Sequence, residues 1–251
     1  MSTPVQTAVG AFVWHDHASS DPPKAQQFYT TLFGWKTEAF KAGEMDYTII
    51  VDDGKQHGGF WPPAEGDTPS HWLGHVLVND VDATADEAKA SGGSLLFEPM
   101  DAPEGRRFAV IRDPEGAVVS AYSSPGESSP PEGVFVWDEL YADDIEAAKR
   151  FYSEVFEWTT SEMDMGDGRT YTMFSSGDQQ RAGGMTKPPG MQAPSHWLVY
   201  IQSDDVDAHA AKAKELGAQI YMEPFDIPTV GRLAILADPT GAPFGLFKAE
   251  Q

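Results

Sequence analysis

The chain is written twice. Shifted by 123 residues, GAFVWHDHASSDPPKAQQFYTTLFGW falls on GVFVWDELYADDIEAAKRFYSEVFEW, matching Phe12 with Phe135, Trp14 with Trp137, Asp21 with Asp144, Phe28 and Tyr29 with Phe151 and Tyr152, and Trp35 with Trp158. The shift then becomes 125, pairing HGGF with AGGM, PSHWL with PSHWL, DVDA with DVDA, EPMDAP with EPFDIP, and RDPEGA with ADPTGA. A repeat on this scale restricts the chain to two copies of one domain. Between them, SSPGESSPPEG at 123–133 has the Ser, Pro, Gly and Glu content of an exposed connection. The expected division is a domain at 1–124, a linker at 125–132 and a second domain at 133–251.

Each copy reads as strand, helix and several strands, twice over. Asp21 is an N-cap followed by two prolines in the first turn, Phe28, Leu32 and Phe33 recur at helical spacing, and Gly34 ends the segment. The second copy repeats this from Asp144 to Phe156. A second helix is expected from Asp80 to Gly92, with Val81, Ala85 and Ala88 inward, and its counterpart from Asp205 to Gly217. MDYTIIV, HWLGHVLV, RFAVIR and AVVSAY read as strands in the first copy; TYTMFS, HWLVYIQ, RLAILA and PFGLFK do so in the second. Asp-Pro-x-Gly in RDPEGA and ADPTGA marks hairpin turns.

These segments identify the chain as similar to the vicinal oxygen chelate superfamily, which includes glyoxalase I, bleomycin-resistance proteins and extradiol dioxygenases. The resemblance rests on SSDPPKAQQFYTTLFGW and ADDIEAAKRFYSEVFEW, on VNDVDATADEAKASGG and SDDVDAHAAKAKELGA, and on the two DPxGA turns. It implies an α+β fold of four βαβββ units forming two tandem glyoxalase-like domains with cupped mixed sheets. A single chain of this kind is expected as a monomer or homodimer.

With 39 acidic against 17 basic residues the formal charge is −22, which repels phosphate backbones and anionic lipid. Nucleic acid and membrane are therefore not expected as partners, whereas a small-molecule ligand is. Cysteine is absent, so neither a thiolate nucleophile nor a thiolate metal site is available. MSTPVQTAVG lacks the basic-then-apolar order of a secretory signal, and no run of about 18 apolar residues occurs. A soluble, cytoplasmic location is expected.

The stretch FVWHDH raises the question of a metal, because two histidines two apart on a strand point to one face. Carried over from the metal-binding relatives, the ligand positions are Trp14 and Trp137, Leu73 and Leu198, Ser120 and Gly245, with the last near Gly59 and Gly184. None supplies imidazole or carboxylate, so the resemblance implies no metal and no cofactor. His15 and His17 then fall on the opposite strand face, expected to pack toward a helix or to reach solvent.

Function is expected on the alternate face. Trp14 and Asp16 in the first copy, and Trp137, Glu139 and Tyr141 in the second, line the sheet where the family places its ligand. A carboxylate against an indole has its pKa raised toward the range useful for acid–base work, so Asp16 and Glu139 are candidate general bases; equally they can hydrogen-bond backbone or pair with arginine. Arg107 and Arg232 can anchor an anionic substrate or neutralise those carboxylates. His71 and His196 can cap the strand start or take part in chemistry. His75, Tyr200 and Tyr122 add polar and aromatic wall. Two functions fit: metal-independent binding of a small aromatic or antibiotic-like molecule, or a lyase, isomerase or hydroxylase-like enzyme acting on a carbonyl compound or polyketide.

Overall fold

The computed structural model describes residues 8–42, 45–61, 68–126, 133–166 and 168–250; most of the expected linker, 127–132, lies outside them. Four strand–helix–three-strand units follow one another. The first copy holds β1 (Phe12–Ala18), α1 (Pro22–Phe33), β2 (Lys36–Ala42), β3 (Met45–Asp52) and β4 (Lys55–Trp61), then β5 (His71–Leu77), α2 (Val81–Ala90), β6 (Ser94–Ala102), β7 (Arg106–Arg112) and β8 (Val118–Ser123). The second holds β9 (Phe135–Ala142), α3 (Ile145–Phe156), β10 (Thr159–Asp164), β11 (Thr170–Ser176) and β12 (Gln179–Thr186), then β13 (His196–Gln202), α4 (Val206–Glu215), β14 (Gln219–Ile227), β15 (Gly231–Ala237) and β16 (Pro243–Ala249).

Each copy builds one eight-stranded sheet, in the orders β2-β3-β4-β1-β5-β8-β7-β6 and β10-β11-β12-β9-β13-β16-β15-β14. The sheets are mixed: β1–β4, β5–β8, β9–β12 and β13–β16 pair parallel, while the hairpins pair antiparallel. Internal contacts divide the chain differently, into two compact units that each take one helix from each copy. One contains α2 and α3, with residues up to Trp14, the chain from Gly74 through β8, and Trp137–Trp197. The other contains α1 and α4, with His15–Leu73 and Leu198 onward.

Each unit has its own apolar core. In the α1/α4 unit, Ala25, Phe28, Tyr29 and Leu32 of α1 and Val206, Ala210 and Ala213 of α4 bury against Ala234, Leu236, Phe244 and Leu246. In the α2/α3 unit, Val81, Ala85 and Ala88 meet Ala148, Phe151, Tyr152 and Val155 over Ala109, Ile111, Val119 and Ala121. Each fully buried large side chain contributes about 1.5–3 kcal/mol. Spacing of three and four residues on the helices and of two on the strands produces these faces.

The helix signals act as their chemistry dictates. Asp21, Asp80, Asp144 and Asp205 each accept a backbone N–H of the first turn, and Gly34 closes α1 in the left-handed region at φ 79°. Where the first copy has Gly34 the second has Glu157, held at φ 56°. A side chain in that region carries a strain of roughly 1 kcal/mol. Glu157→Gly is therefore expected to raise the urea-unfolding free energy by about 0.5–1 kcal/mol.

The DPxG turns are buried anchors. Asp113 Oδ1 accepts from the N–H groups of Glu115 and Ala117, at 2.9 and 2.8 Å, and its other oxygen accepts from Tyr152 Oη at 2.9 Å. Asp238 Oδ1 accepts from Thr240 N and Ala242 N at 2.7 and 3.1 Å, and Oδ2 lies 2.7 Å from His17 Nε2.

Candidate functional site

β1 has two chemical faces. Val13, His15 and His17 are buried, whereas Trp14, Asp16 and Ala18 are only partly so. His17 is enclosed by Tyr29, Phe60 and Trp72, with Asp238 on Nε2 and no partner for Nδ1. His15 packs on Phe135 at 4.3 Å. Both histidines thus lie in the protein interior, as their strand face requires. The second copy places Leu140 where the first has His17, and Asp113 keeps its tyrosine and backbone donors there without any histidine.

The opposite face carries a carboxylate and a phenol in each copy. In the α1/α4 unit Tyr47 Oη donates to Asp16 Oδ1 at 2.5 Å. In the α2/α3 unit Tyr171 lies against Glu139 and accepts a hydrogen bond from Trp137 Nε1 at 2.8 Å. Burial and the neighbouring Glu139 charge push the Tyr171 phenol far above its ordinary pKa, so it stays protonated. A glycine opposite each carboxylate makes room for the ring: Asp16 pairs with Gly59, Glu139 with Gly183, and a Cβ on either glycine would run into the tyrosine oxygen. Tyr47 and Tyr171 were not among the residues singled out in the sequence. Their signal was there, as a tyrosine in each MDYTII and RTYTMF facing a glycine.

This register corrects the alignment of the paired glycines. Matching HGGF to AGGM sets Gly59 on Gly184, but the strand pairing sets it on Gly183. One of the two extra residues of the second copy is therefore gained before β12 and the other after it. The same register places Arg181, two residues before Gly183, on the face of Glu139; burial holds its pKa below the ordinary arginine value.

The histidines of PSHWL occupy matching places. His71 Nδ1 meets the Pro69 carbonyl and His196 Nδ1 that of Pro194, both at 2.8 Å. That bond assigns the proton to Nδ1 and leaves Nε2 as an acceptor. His196 also stacks on Tyr141, with centroids 5.4 Å apart and planes 17° apart. Burial lowers the pKa of both histidines, and of His57 and His209. A folded-state value below the unfolded one means protons bind on unfolding, so stability is full above about pH 6.5 and declines as pH falls through the lowered values. Urea unfolding should show a lower free energy near pH 5.5 than near pH 7.5, with proton uptake near pH 6.

The remaining candidates lie elsewhere. His75 stands edge-on to Tyr122 and Phe108, at 5.8 and 6.4 Å, in the α2/α3 unit. Tyr200 lies over Gly245 in the α1/α4 unit. Arg107 binds Asp82 through two nitrogens at 2.7 and 2.8 Å and Asp101 at 2.6 Å. Arg232 repeats this with Asp207 and Asp226. Of the two roles open to these arginines, neutralising Asp16 and Glu139 is not the pairing the structure has. Their guanidinium groups reach aspartates on α2 and α4, on the helix side of the sheet.

A divalent ion needs imidazole or carboxylate donors, and the positions carried over from metal-binding relatives hold Trp14, Trp137, Leu73, Leu198, Ser120 and Gly245. Among the described residues no three His, Asp or Glu side chains converge. This donor set does not fit such an ion.

The sequence profile of the Glyoxalase/Bleomycin resistance protein/Dioxygenase superfamily matches residues 15–120 and again 135–246. The chain belongs to this superfamily. Within it, "Putative glyoxylase CFP32" of Mycobacterium tuberculosis is 36% identical over 244 residues, covering 94% of this chain and 93% of that protein. "Anthracycline biosynthesis protein DnrV" of Streptomyces peucetius is 30% identical over 131 residues, 46% of this chain and 47% of that one. Among solved structures, the Mn(II)-bound glyoxalase of Novosphingobium aromaticivorans superimposes with a TM-score of 0.65 at 14% identity, covering 96% of this chain and 82% of that one. A catechol 2,3-dioxygenase does so at 0.64 and 14%, covering 97% and 90%. Likeness at that identity establishes the superfamily's fold. Among the described residues no helix is long and apolar enough to cross a membrane.

Proposed function

We propose that this superfamily member binds a small aromatic, antibiotic-like molecule, without a metal, on the sheet faces that carry Asp16 and Glu139. The observation that carries this reading is the pairing, in each copy, of a carboxylate with a phenol on a face rich in aromatic rings: Asp16, Tyr47 and Trp61 in one, Glu139, Tyr171, Trp137 and Tyr141 in the other. Aromatic walls with few oriented polar groups suit a planar organic ligand. The anthracycline relatives' names agree with that class. A net charge of −22 disfavours an anionic ligand, so a neutral or cationic one is expected.

One observation favours catalysis as a second reading. On the Glu139 face a carboxylate, a protonated phenol and the Nε2 acceptor of His196 occur in one unit. Glu139 would take a proton from carbon or oxygen of a carbonyl substrate and, once protonated, release the Tyr171 hydroxyl it holds, which then turns to donate its single proton to the developing oxyanion. Asp16 and Tyr47 would do the same on the other face.

Titration with a dihydroxyanthraquinone, read by tryptophan fluorescence, tests the binding reading. Saturable quenching is expected, and Asp16→Asn with Glu139→Gln should weaken it about tenfold. Absence of saturable quenching would refute binding of this ligand class. Chemical turnover of the bound compound, lost in the carboxylate variants, would favour the enzyme.

A further inference from the structure

The two faces differ in the ring that lies on the histidine. In the second copy the Tyr141 ring lies flat on the His196 imidazole. In the first copy the residue at Tyr141's place is Ala18, and among the described residues His71 makes no aromatic contact. The neighbour across the parallel strand also differs, Trp61 beside Ala18 and Met185 beside Tyr141, whereas the bonds that tie down the two histidines are repeated. Two residues past Ala18, Ser20 N donates to Ser70 Oγ at 3.1 Å; two residues past Tyr141, Asp143 N donates to Ser195 Oγ at 3.0 Å. Ser70 and Ser195 immediately precede the histidines. The imidazoles are anchored on Pro69 and Pro194 carbonyls at the same 2.8 Å, and the following Trp72 and Trp197 each donate to a buried tyrosine at 2.9 Å. Strand end, histidine and core are thus tied together by matching bonds, and the phenol ring that covers His196 has no counterpart on His71.

Trp61, beside Ala18 in the parallel pair β1–β4, packs edge-on against Tyr47 at 5.6 Å. We infer that the ligand-bearing face is that of the first copy, where a phenol-like ring of the ligand stacks on His71 in the place Tyr141 fills in the second copy, and that Tyr141 closes the second copy's face from within. This rests on the aromatic-ligand reading above and names which of the two faces serves it. Asp16 shares the strand face of Ala18, two residues away, and its carboxylate accepts a hydroxyl in addition to Tyr47, as a carboxylate has several lone pairs to offer. The ligand chemistry is therefore a planar, hydroxylated aromatic that is not an anion. Burial keeps the His71 imidazole neutral, so the stack needs no cationic partner.

The test is calorimetric titration of the full chain with dihydroxyanthraquinone, alongside Ala18→Tyr and Tyr141→Ala. One molecule should bind per wild-type chain. Ala18→Tyr, which copies the second face onto the first, should reduce affinity at least tenfold, and Tyr141→Ala should raise the stoichiometry to about two. Tyr141→Ala only removes atoms and keeps the test open should Ala18→Tyr fail to fold. Wild-type binding that survives a folded Ala18→Tyr, or a stoichiometry unmoved by Tyr141→Ala, overturns the inference and leaves the aromatic-ligand reading standing. No binding by any of the three chains refutes both.

Discussion

Asp238→Ala is expected to cost the fold about 3–5 kcal/mol. The carboxylate is 3% exposed and accepts from Thr240 N, Thr240 Oγ1 and Ala242 N, with His17 on its second oxygen and Tyr29 alongside. Alanine leaves those donors in the interior without an acceptor, each at about 1–3 kcal/mol. Desolvation raises the pKa of Asp238, but the His17 contact and the turn donors outweigh it and hold the group ionised. The duplication supplies the control. Because Asp113 is held by Tyr152 and its turn donors in the copy that has Leu140 at the place of His17, His17→Leu should change stability by no more than about 1 kcal/mol, replacing one bond to Asp238 with apolar packing among Tyr29, Phe60 and Trp72. Urea unfolding of both variants checks the contrast; a His17→Leu loss as large as that of Asp238→Ala would mean that the histidine is the true anchor.

Gly58→Ala should be as severe, at about 3 kcal/mol or more, and is expected to prevent accumulation of folded protein. A Cβ there would run into the His15 carbonyl oxygen of the parallel β1–β4 pair, and a backbone atom inside a ladder cannot step aside. The neighbouring Gly59→Ala runs first into the Tyr47 side chain, which can swing away. It should therefore fold, lose the Tyr47–Asp16 hydrogen bond and weaken ligand binding. Soluble yield and thermal melting of the pair measure the difference, and equal melting temperatures would contradict it.

Much of the fold was legible because each copy repeats strong local signals. Capping aspartates, the alanine-lined helices and the DPxG turns occur in both halves and appear where their chemistry puts them. The glycine-bearing strands β4 and β12 were not marked as strands, nor were the edge strands β2, β6, β10 and β14. They show no alternation to read, as TTSEMD is exposed along its whole length and SLLFEPMDA nearly so. The strand face holding Asp16 and Glu139 follows from period-two alternation, which also sends His15 and His17 inside. The phenols of Tyr47 and Tyr171 were harder, since their partners lie 31 and 32 residues away and only strand register brings them together. The role of Arg107 and Arg232 was not legible because an arginine aligned in both copies is equally what a duplicated surface ion pair requires.

The most direct measurement is NMR of histidine-labelled protein during titration with dihydroxyanthraquinone. A ring stacked on His71 should shift its imidazole carbon-bound proton signals upfield as the ligand saturates, while those of His196, already covered by Tyr141, stay in place. Equal shifts at both histidines, or none at His71 with ligand bound, would contradict a ligand seated on the first copy's face.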